Sequence, residues 1–546
     1  MRIPDSDLAA SVDLKLNDWD KRDICRRIWG KDHTVWSSDP TELSDRLGWL
    51  VLPETSESLV APIEQFAEGI RAEGMRHVVL LGMGGSSLAP EVFGRVFGSA
   101  AGYPTLLVLD STHPSAVAAV ESLIDPANTL FLVSSKSGTT LETLSLYQFF
   151  WNRVGLVSDK PGEHFVAITD PDSKLEQIAK ERSFRRIFSA PPTVGGRYSA
   201  LCAFGLVPAG LVGADTSGIL ASAREMARAS AADVAASENP SVTLGVTLAT
   251  LADAGIDKLT FVCSPALSSF PAWIEQLVAE SVGKDSKGIV PIDSESFLKL
   301  ESLGADRVFF GITLEGENNG EVGHHLSSLV HAGHPVISCV LSQKTDIGAE
   351  MFRWELATAA AGAAMGIHPF NQPDVQLAKS LAKEAMASKD GYRGGTSASI
   401  VDVFDEPTLS KSLGDWSQIK PGDYIGIQAY LEPSDVNTEI LKGVRKILGN
   451  RLGVATTLGY GPRFLHSTGQ LHKGGDNNGL FLQLVDEPQS DIPVPESDFT
   501  FGELIAAQAE GDFNALVQRG RRVLRVGLGR DPGSGLERLR GALAAF

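Results

Sequence analysis

The stretch Ser134-Ser135-Lys136-Ser137-Gly138-Thr139-Thr140 follows an apolar run, Thr129–Val133, and precedes a helical pattern over Leu141–Val154. Backbone N–H groups and hydroxyls between a strand and a helix N-terminus converge on one point, where the helix dipole favours a phosphate. The alternative is a polar turn in which Thr139 or Thr140 caps the helix. Because the stretch holds more polar groups than capping needs, we interpret it as an anion site.

The composition is that of an ordinary globular protein, with 43% hydrophobic and 21% charged residues in 546, enough for three or four domains. Its apolar runs are too short for a membrane span and its start lacks a signal-peptide hydrophobic region, so we expect a cytoplasmic protein. The four cysteines are scattered, which indicates neither a disulfide framework nor a zinc site. A net charge of −19 argues against nucleic-acid and anionic-membrane partners.

Short apolar strands alternate with helical segments along most of the chain, which predicts an α/β fold of doubly wound parallel sheets. We predict an N-terminal helical segment, a first sheet domain, a connecting helix, a second sheet domain, a linker and a C-terminal α/β extension. Their predicted bounds are 1–65, 66–215, 216–239, 240–390, 391–423 and 424–546. Ligands of such sheets bind at the carboxyl ends of the strands, where the hydroxyl-rich stretch lies.

A glycine loop, Gly82–Ser87, follows the predicted strand His77–Leu81. It is a poor dinucleotide fingerprint, because Ser87 stands at the third glycine position and the next clear acid, Asp110, comes late. A loop that brings its backbone close to a sugar or phosphate fits better, with Ser86 as a donor. The alternative is a tight turn that simply needs glycine.

Four further side chains are candidates for a functional site. Arg197 follows two glycines, and its guanidinium either stabilises an oxyanion or forms a structural ion pair. Gln276 and Glu280 lie four residues apart, hence on one face of the predicted helix Pro271–Val282. Glu280 is either a proton-transferring carboxylate or a solvated surface residue. Lys379, in a later predicted helix, by itself indicates only a surface lysine.

Five motifs in this order resemble the phosphoglucose isomerase family, which is built from two SIS (sugar isomerase) domains. The motifs, within residues 70–390, are Gly84–Ser86, Ser135–Thr143, Gly195–Ser199, Glu280–Lys284 and Asn371–Lys379. The segment Gly-Pro-Arg-Phe-Leu-His-Ser-Thr-Gly-Gln at 461–470 makes the chain most similar to the isomerase half of bacterial bifunctional transaldolase/phosphoglucose isomerases.

The resemblance implies interconversion of glucose 6-phosphate and fructose 6-phosphate through a cis-enediol(ate), after ring opening, with no metal or organic cofactor. It implies Glu280 as the base, Arg197 stabilising the enediolate, Gln276 contacting the sugar, and Lys379 assisting ring opening with a histidine. The residues implied at the phosphate or beside it are Gly85, Ser86, Ser135, Lys136, Ser137 and Thr140. It also implies a homodimer, and a transaldolase as a fused or separate partner.

One departure from the family concerns the ring-opening histidine. Bacterial relatives carry it in a Leu-His-Ser-Met-Gly segment about twenty residues after the base, where this chain reads Leu-Glu301-Ser-Leu-Gly. A similar Leu-His466-Ser-Thr-Gly occurs far downstream. We predict that the C-terminal extension folds over the site and supplies His466, with His472 and His368 as alternatives. The competing interpretation is that His466 only structures a loop.

Two other functions are compatible with the sequence. A sugar-phosphate sensor with SIS domains needs the anion site but not Glu280, Arg197 and Lys379 together, so their joint presence favours an enzyme. An isomerase of broader scope would also accept mannose 6-phosphate. The residues around Gln276 and after Glu280 would determine whether that sugar is accepted.

Overall fold

The computed structural model describes residues 2–387 and 400–545, so that 391–399, the first part of the predicted linker, lie outside the described residues. The N-terminal segment is helical and packs onto the rest of the chain through its tryptophans. Trp29 donates to the Ser230 carbonyl at 2.7 Å and Trp36 to that of Ala359 at 2.8 Å. Its helices are α1 Ser6–Lys21, α2 Ile24–Trp29, α3 Leu52–Thr55 and α4 Glu57–Ala72.

Within the described residues 77–189, five parallel strands form a first sheet in the order β2-β1-β3-β4-β5. The strands are β1 His77–Gly82, β2 Thr105–Leu109, β3 Thr129–Ser134, β4 Phe165–Thr169 and β5 Arg186–Ser189. The helices are α5 Leu88–Phe97, α6 Pro114–Leu123, α7 Leu141–Gly155, α8 Lys174–Glu181 and α9 Ala203–Leu211. The strand order reverses between β1 and β3, and that switch point is where such sheets bind ligands. The glycine loop and the hydroxyl-rich stretch both begin there.

A second sheet lies within the described residues 258–341, with four parallel strands in the order β7-β6-β8-β9. The strands are β6 Lys258–Cys263, β7 Val290–Ile292, β8 Arg307–Leu314 and β9 Val336–Leu341. The associated helices are α10 Thr216–Ala229, α11 Pro240–Asp253, α12 Phe270–Val282, α13 Gly320–His331, α14 Ile347–Met365 and α15 Val375–Ala387. One large buried cluster of apolar side chains joins the first two sheets and the N-terminal helices.

The described part of the C-terminal extension contains a third parallel sheet, five strands in the order β10-β14-β13-β11-β12. The strands are β10 Ile400–Asp402, β11 Tyr424–Tyr430, β12 Ala455–Tyr460, β13 Gly479–Val485 and β14 Arg522–Gly527. The helices are α16 Glu406–Trp416, α17 Asp435–Leu452, α18 Gly469–Gly474, α19 Phe501–Gln518 and α20 Pro532–Ala545. This sheet has its own apolar core, so the extension is a domain of its own.

A buried polar chain links the second and third sheets. Glu295 pairs with the fully buried Arg307 and accepts bonds from the Thr456 amide at 3.1 Å and hydroxyl at 2.9 Å. Arg445 donates to the same Thr456 hydroxyl at 3.1 Å. Beside it, Val290 and Ile292 of β7 pack against side chains of the third sheet. The extension is therefore docked against the second domain through both polar and apolar buried contacts.

Replacing Glu295 with alanine is expected to destabilise the protein by about 3 kcal/mol, because the Arg307 guanidinium would remain buried without its carboxylate. Urea unfolding, followed by far-UV circular dichroism, measures the change. The matched control is Glu301→Ala, which removes an exposed carboxylate from the same connection and should leave the midpoint unchanged. Equal midpoints for the two variants would contradict the role assigned to Glu295.

The predicted fold class, parallel α/β domains with a C-terminal α/β extension, is confirmed. Residues 400–423, predicted as linker, instead contain β10 and α16. Glycine, serine and proline are typical of a linker, but apolar positions Val403, Leu409 and Leu413 bury these elements in the third core. The strands β5 and β7 are too short to be predicted from the sequence, because three or four residues carry little periodicity. Among the described residues, no helix is long and apolar enough to cross a membrane.

Candidate active site

The hydroxyl-rich loop runs from the end of β3 to the start of α7. The Ser135 and Thr140 hydroxyls are 3.1 Å apart, and the Gly138 amide donates to Ser135 Oγ at 3.1 Å. Thr140 occupies the N-cap position, yet its side chain makes no bond to a helix amide. The amides of the first turn of α7 are therefore not capped by this hydroxyl, which suits an anion site better than a capped turn.

Gly138 is required by this loop. Its φ is +67°, and a Cβ there would lie 2.2 Å from the Leu175 amide nitrogen. The loop is thus packed against the start of α8. The hydroxyl groups of Ser137 and Thr139 are exposed and lie 2.8 Å apart, whereas Ser135 is buried.

Lys136 lies in the loop, but its ammonium group is engaged elsewhere. It pairs with Asp170 at 2.5 Å and donates to the Pro192 carbonyl at 3.0 Å. Burial raises the pKa of Asp170, while Lys136 opposes that shift. In this arrangement the Lys136 charge stabilises the loop's position, and a direct contact with an anion would need the side chain to turn.

The glycine loop Gly84–Ser86 is the place where three parts of the chain meet. Gly84 has φ +57°, and a Cβ on it would lie 2.8 Å from Gln276 Nε2 and from the His466 carbonyl oxygen. A Cβ on Gly85 would come within 2.0 Å of the Gly196 carbonyl oxygen. Both glycines are needed for close approach of backbones, and the loop is therefore packed directly beside Arg197, Gln276 and His466.

Glu280 is held between a cation and an amide. Arg197 Nη1 lies 3.2 Å from Glu280 Oε1, and Gln276 Nε2 lies 3.2 Å from Glu280 Oε2. All three residues are buried, with 5%, 7% and 3% exposure for Arg197, Glu280 and Gln276. Gln276 Oε1 has no hydrogen-bond partner among the described residues. The pair is thus a carboxylate and a guanidinium enclosed together, with an acceptor left for a ligand hydroxyl.

Arg197 is fixed in place by the turn that precedes α15. It donates to Ser281 Oγ at 2.8 Å, to the Pro369 carbonyl at 2.6 Å and to that of Asn371 at 3.0 Å, and Nη1 also bonds Gln372 at 3.2 Å. This network explains why the Glu280–Lys284 and Asn371–Lys379 motifs occur together. Residues of both motifs accept hydrogen bonds from the Arg197 guanidinium.

Lys284 stabilises the same turn, the one that precedes α15. Its ammonium donates to the carbonyls of His368 at 2.6 Å and Asn371 at 2.5 Å. Burial, with the neighbouring Arg197 charge, lowers the pKa of Lys284 well below its ordinary value. The lysine acts on the backbone of the turn rather than on a ligand.

The C-terminal domain places His466 at this site. His466 Nε2 lies 3.0 Å from Glu142 Oε1, and the His466 carbonyl accepts from Gln276 at 2.7 Å. Burial alone would raise the pKa of Glu142, but His466 and Lys379 together hold it below its ordinary value. The histidine of the extension therefore lies beside the glycine loop and at the start of α7.

Lys379 lies on α15, which packs against α19, and its charge acts on Glu142. Its side chain is exposed, unlike the buried lysines 284 and 473. Its position near Glu142 brings it to the same side of the site as His466.

The other histidine alternatives have structural partners. His472 is buried, its Nδ1 lies 3.2 Å from Gln428, and burial lowers its pKa well below the ordinary value. His368 Nε2 bonds the Thr41 carbonyl at 3.0 Å and its Nδ1 accepts from the Phe370 amide at 3.2 Å. Glu301 lies in a turn against α17 and is exposed. His466 is the one of these three histidines that contacts the Glu142 carboxylate in the described structure.

Some residues that hold the site together were not predicted from the sequence. Glu142 lies within a family motif but was assigned no role, and Gln508 carries no motif at all. Arg463, three residues before His466, pairs with Glu91 and with Asp110 at 3.1 Å. The Gly-Pro-Arg-Phe-Leu-His segment could have pointed to Arg463 as an anchor, whereas Gln508 had no signal in the sequence.

In the part of the chain that the structure describes, no group of three His, Cys, Asp or Glu side chains is arranged to hold a metal ion. The arrangement offers a carboxylate for proton transfer, a guanidinium for a developing negative charge, and a hydroxyl-rich helix N-terminus for an anion.

Comparison with known proteins identifies relatives of this chain. The family model described as "Phosphoglucose isomerase" matches residues 56–343. A glucose-6-phosphate isomerase of Rubrobacter xylanophilus is 30% identical over 65% of this chain and 92% of its own length. One from Campylobacter jejuni is 28% identical over 65% of this chain and 97% of its own.

Solved structures show the same fold. A hypothetical protein from Thermus thermophilus matches with a TM-score of 0.61 and 24% identity, over 70% of this chain and 99% of its own. A glucose-6-phosphate isomerase from Chlamydia trachomatis matches with a TM-score of 0.53 and 22% identity, over 68% and 80% of the two chains. Since the family model covers more than half of the chain and includes Arg197 and Glu280, this chain belongs to the phosphoglucose isomerase family.

Proposed function

We propose that the chain interconverts glucose 6-phosphate and fructose 6-phosphate. The observation that carries the proposal is the buried Glu280 carboxylate, held 3.2 Å from the Arg197 guanidinium and 3.2 Å from the Gln276 amide. A sensor that only binds a sugar phosphate has no need of a buried carboxylate next to a fixed cation. Burying such a pair is costly, so its presence favours a catalytic role.

In the proposed reaction the 6-phosphate binds at the loop of Ser135, Ser137 and Thr140, beside Ser86, with the amides of α7 directed at it. Anchoring that end of the sugar presents C1 and C2 to Glu280. Lys136 contacts the phosphate only if its ammonium group leaves Asp170 and turns toward the ligand.

Proton transfer follows once the sugar is open. Glu280 takes the proton from C2 of the aldose, the C1–C2 double bond forms, and the carbonyl electrons pass to O1 of a cis-enediol(ate). Arg197 stabilises the negative charge on the oxygens. Return of the proton to C1, with movement of the hydroxyl hydrogen from O2 to O1, gives the ketose. Atoms and electrons balance without a metal or organic cofactor.

Ring opening is assigned to His466, with Lys379 assisting. The proposal is supported by the position of His466, between the glycine loop and Glu142. As an imidazolium stabilised by Glu142, His466 would give a proton to the ring oxygen as the bond between that oxygen and the anomeric carbon breaks. The anomeric hydroxyl would lose its proton to solvent water as it becomes the carbonyl.

The assay for this function couples glucose 6-phosphate formation from fructose 6-phosphate to a dehydrogenase. We expect full activity without added metal and after pre-treatment of the enzyme with EDTA, because the reaction only shuttles a proton. Inactivity of the wild-type protein would favour the sensor. Loss on EDTA treatment, restored by a divalent ion, would contradict the cofactor proposal. Mannose 6-phosphate in the same assay tests the broader scope.

A homodimer and an association with a transaldolase remain predictions from the family resemblance. Sedimentation of the purified chain addresses the first, and transaldolase activity in a co-purified complex the second.

A further inference from the structure

The amide of Gln508 bridges two elements of the first domain. Gln508 lies in α19 of the C-terminal domain and is 6% exposed. Its Nε2 donates to Glu142 Oε1 at 2.8 Å, and its Oε1 accepts from the Thr112 hydroxyl at 2.8 Å. An ionised carboxylate only accepts hydrogen bonds, so the NH₂ end of the amide must face Glu142. Both ends of the side chain are thereby fixed.

Glu142 Oε1 receives two donors as a result, Gln508 Nε2 at 2.8 Å and His466 Nε2 at 3.0 Å. The bond to the carboxylate requires the hydrogen of His466 to be on Nε2, which leaves Nδ1 for the ligand side. Gln508 fixes the position of Glu142 Oε1. The orientation of the Glu142 carboxylate, and through it that of the His466 imidazole ring, therefore depends on Gln508.

We propose that Gln508 is a positioning residue for ring opening, which orients Glu142 and through it His466. This inference rests on the proposed function and extends it, because it makes the ring-opening step depend on a helix of the C-terminal domain. Proton transfer by Glu280 does not depend on Gln508, since the Glu280 carboxylate is held by Arg197 and Gln276.

A purely structural role for Gln508 is the competing explanation, since α19 also packs against α15. The two roles differ in which substrate they affect. 5-Deoxyfructose 6-phosphate lacks the O5 hydroxyl and cannot close a furanose ring, so it reaches Glu280 without ring opening. Exchange of its C1 proton for solvent deuterium, followed by NMR, measures proton transfer alone.

The test variant is Gln508→Met, which keeps the length of the side chain and removes both hydrogen bonds. We expect kcat/KM for fructose 6-phosphate to fall on the order of 10-fold, the effect of one hydrogen bond to a charged group. The rate of deuterium exchange into the 5-deoxy substrate should stay within about twofold of wild type. Such a change is well below the contribution of one hydrogen bond to a charged group. The matched control is Gln483→Met: Gln483 is buried in the same domain, and among the described residues its side chain bonds only the Ala509 carbonyl, at 3.1 Å.

A pH profile gives a second readout. Loss of a donor destabilises the Glu142 anion, so the pKa of Glu142 should rise and the acid limb of kcat/KM for fructose 6-phosphate should move to higher pH. The other charged or titratable groups that act on this carboxylate are His466, Lys379 and Tyr430. They are unchanged in the variant, and Gln483→Met should show the wild-type profile.

The state of His466 is observable without activity. In ¹⁵N-imidazole NMR the wild type should show the Nε2–H tautomer for the signal that disappears in His466→Ala, and Gln508→Met should shift that signal. Equal losses on both substrates, or no loss on fructose 6-phosphate, would overturn the positioning role. Inactivity of the wild type on both sugars would instead refute the proposed function, while the NMR result would still report on the hydrogen-bond relay.

Discussion

Glu280→Gln is expected to lower kcat/KM for fructose 6-phosphate by about 10³-fold, equivalent to about 4 kcal/mol of transition-state stabilisation. The amide cannot accept the C1 proton of the ketose, yet it has the size of the carboxylate and can keep a contact with Gln276. Binding of fructose 6-phosphate, measured by calorimetry, should persist. The same variant should also lose deuterium exchange into 5-deoxyfructose 6-phosphate, because that reaction uses the same base.

The control for this variant lies on the same helix. Burial, with the negative charge of Asp293, raises the pKa of Glu275 to about 8. At pH 7 that carboxyl is therefore mostly protonated, and Glu275→Gln replaces it with a neutral group of the same shape. We expect near wild-type activity for Glu275→Gln. Activity of Glu280→Gln within tenfold of wild type would show that another group is the base.

His466→Ala is expected to lower kcat/KM for fructose 6-phosphate by about 100-fold, the lower end of what a positioned acid or base contributes. Spontaneous ring opening should supply the remaining activity. Deuterium exchange into 5-deoxyfructose 6-phosphate should be nearly unchanged, because that substrate has no ring. The pair of measurements separates ring opening from proton transfer.

The matched histidine control is His331→Ala. His331 is at the exposed end of α13 and bonds the Ser327 carbonyl of its own helix at 2.7 Å. It should behave as wild type on both substrates. If His466→Ala retained full activity on fructose 6-phosphate, ring opening would belong to another group and the C-terminal domain would serve only to cover the site. Equal loss on the two substrates would mark His466 as a structural residue.

The stability of the protein at acid pH depends in part on the ionised Glu142 carboxylate. Because its folded pKa lies below the ordinary value, its contribution is present above the unfolded pKa and is lost as the pH falls through the folded pKa. The docking of the C-terminal domain at His466 should therefore weaken in acid before the cores of the sheets do.

The sequence alone predicted what depends on local pattern. Alternation of apolar strands and helices is a property of short windows, so the parallel sheets and the carboxyl-end location of the loops could be predicted. The spacing of Gln276 and Glu280 placed both on one helix face because an α-helix repeats every 3.6 residues. The family motifs then associated Arg197 with them.

Only the tertiary structure decided which groups meet. Lys136 pairs with Asp170, 34 positions away, and Gln508 bonds Glu142, 366 positions away. No periodicity encodes contacts at such separations, because they arise from the docking of one sheet on another. The hydroxyl-rich loop at Ser134–Thr140 predicts an anion site from its own residues. Its relation to His466 was created by a third domain, which places that histidine beside the loop's helix. This domain docks on the second through the Thr456 bonds to the buried Glu295–Arg307 pair and through apolar packing.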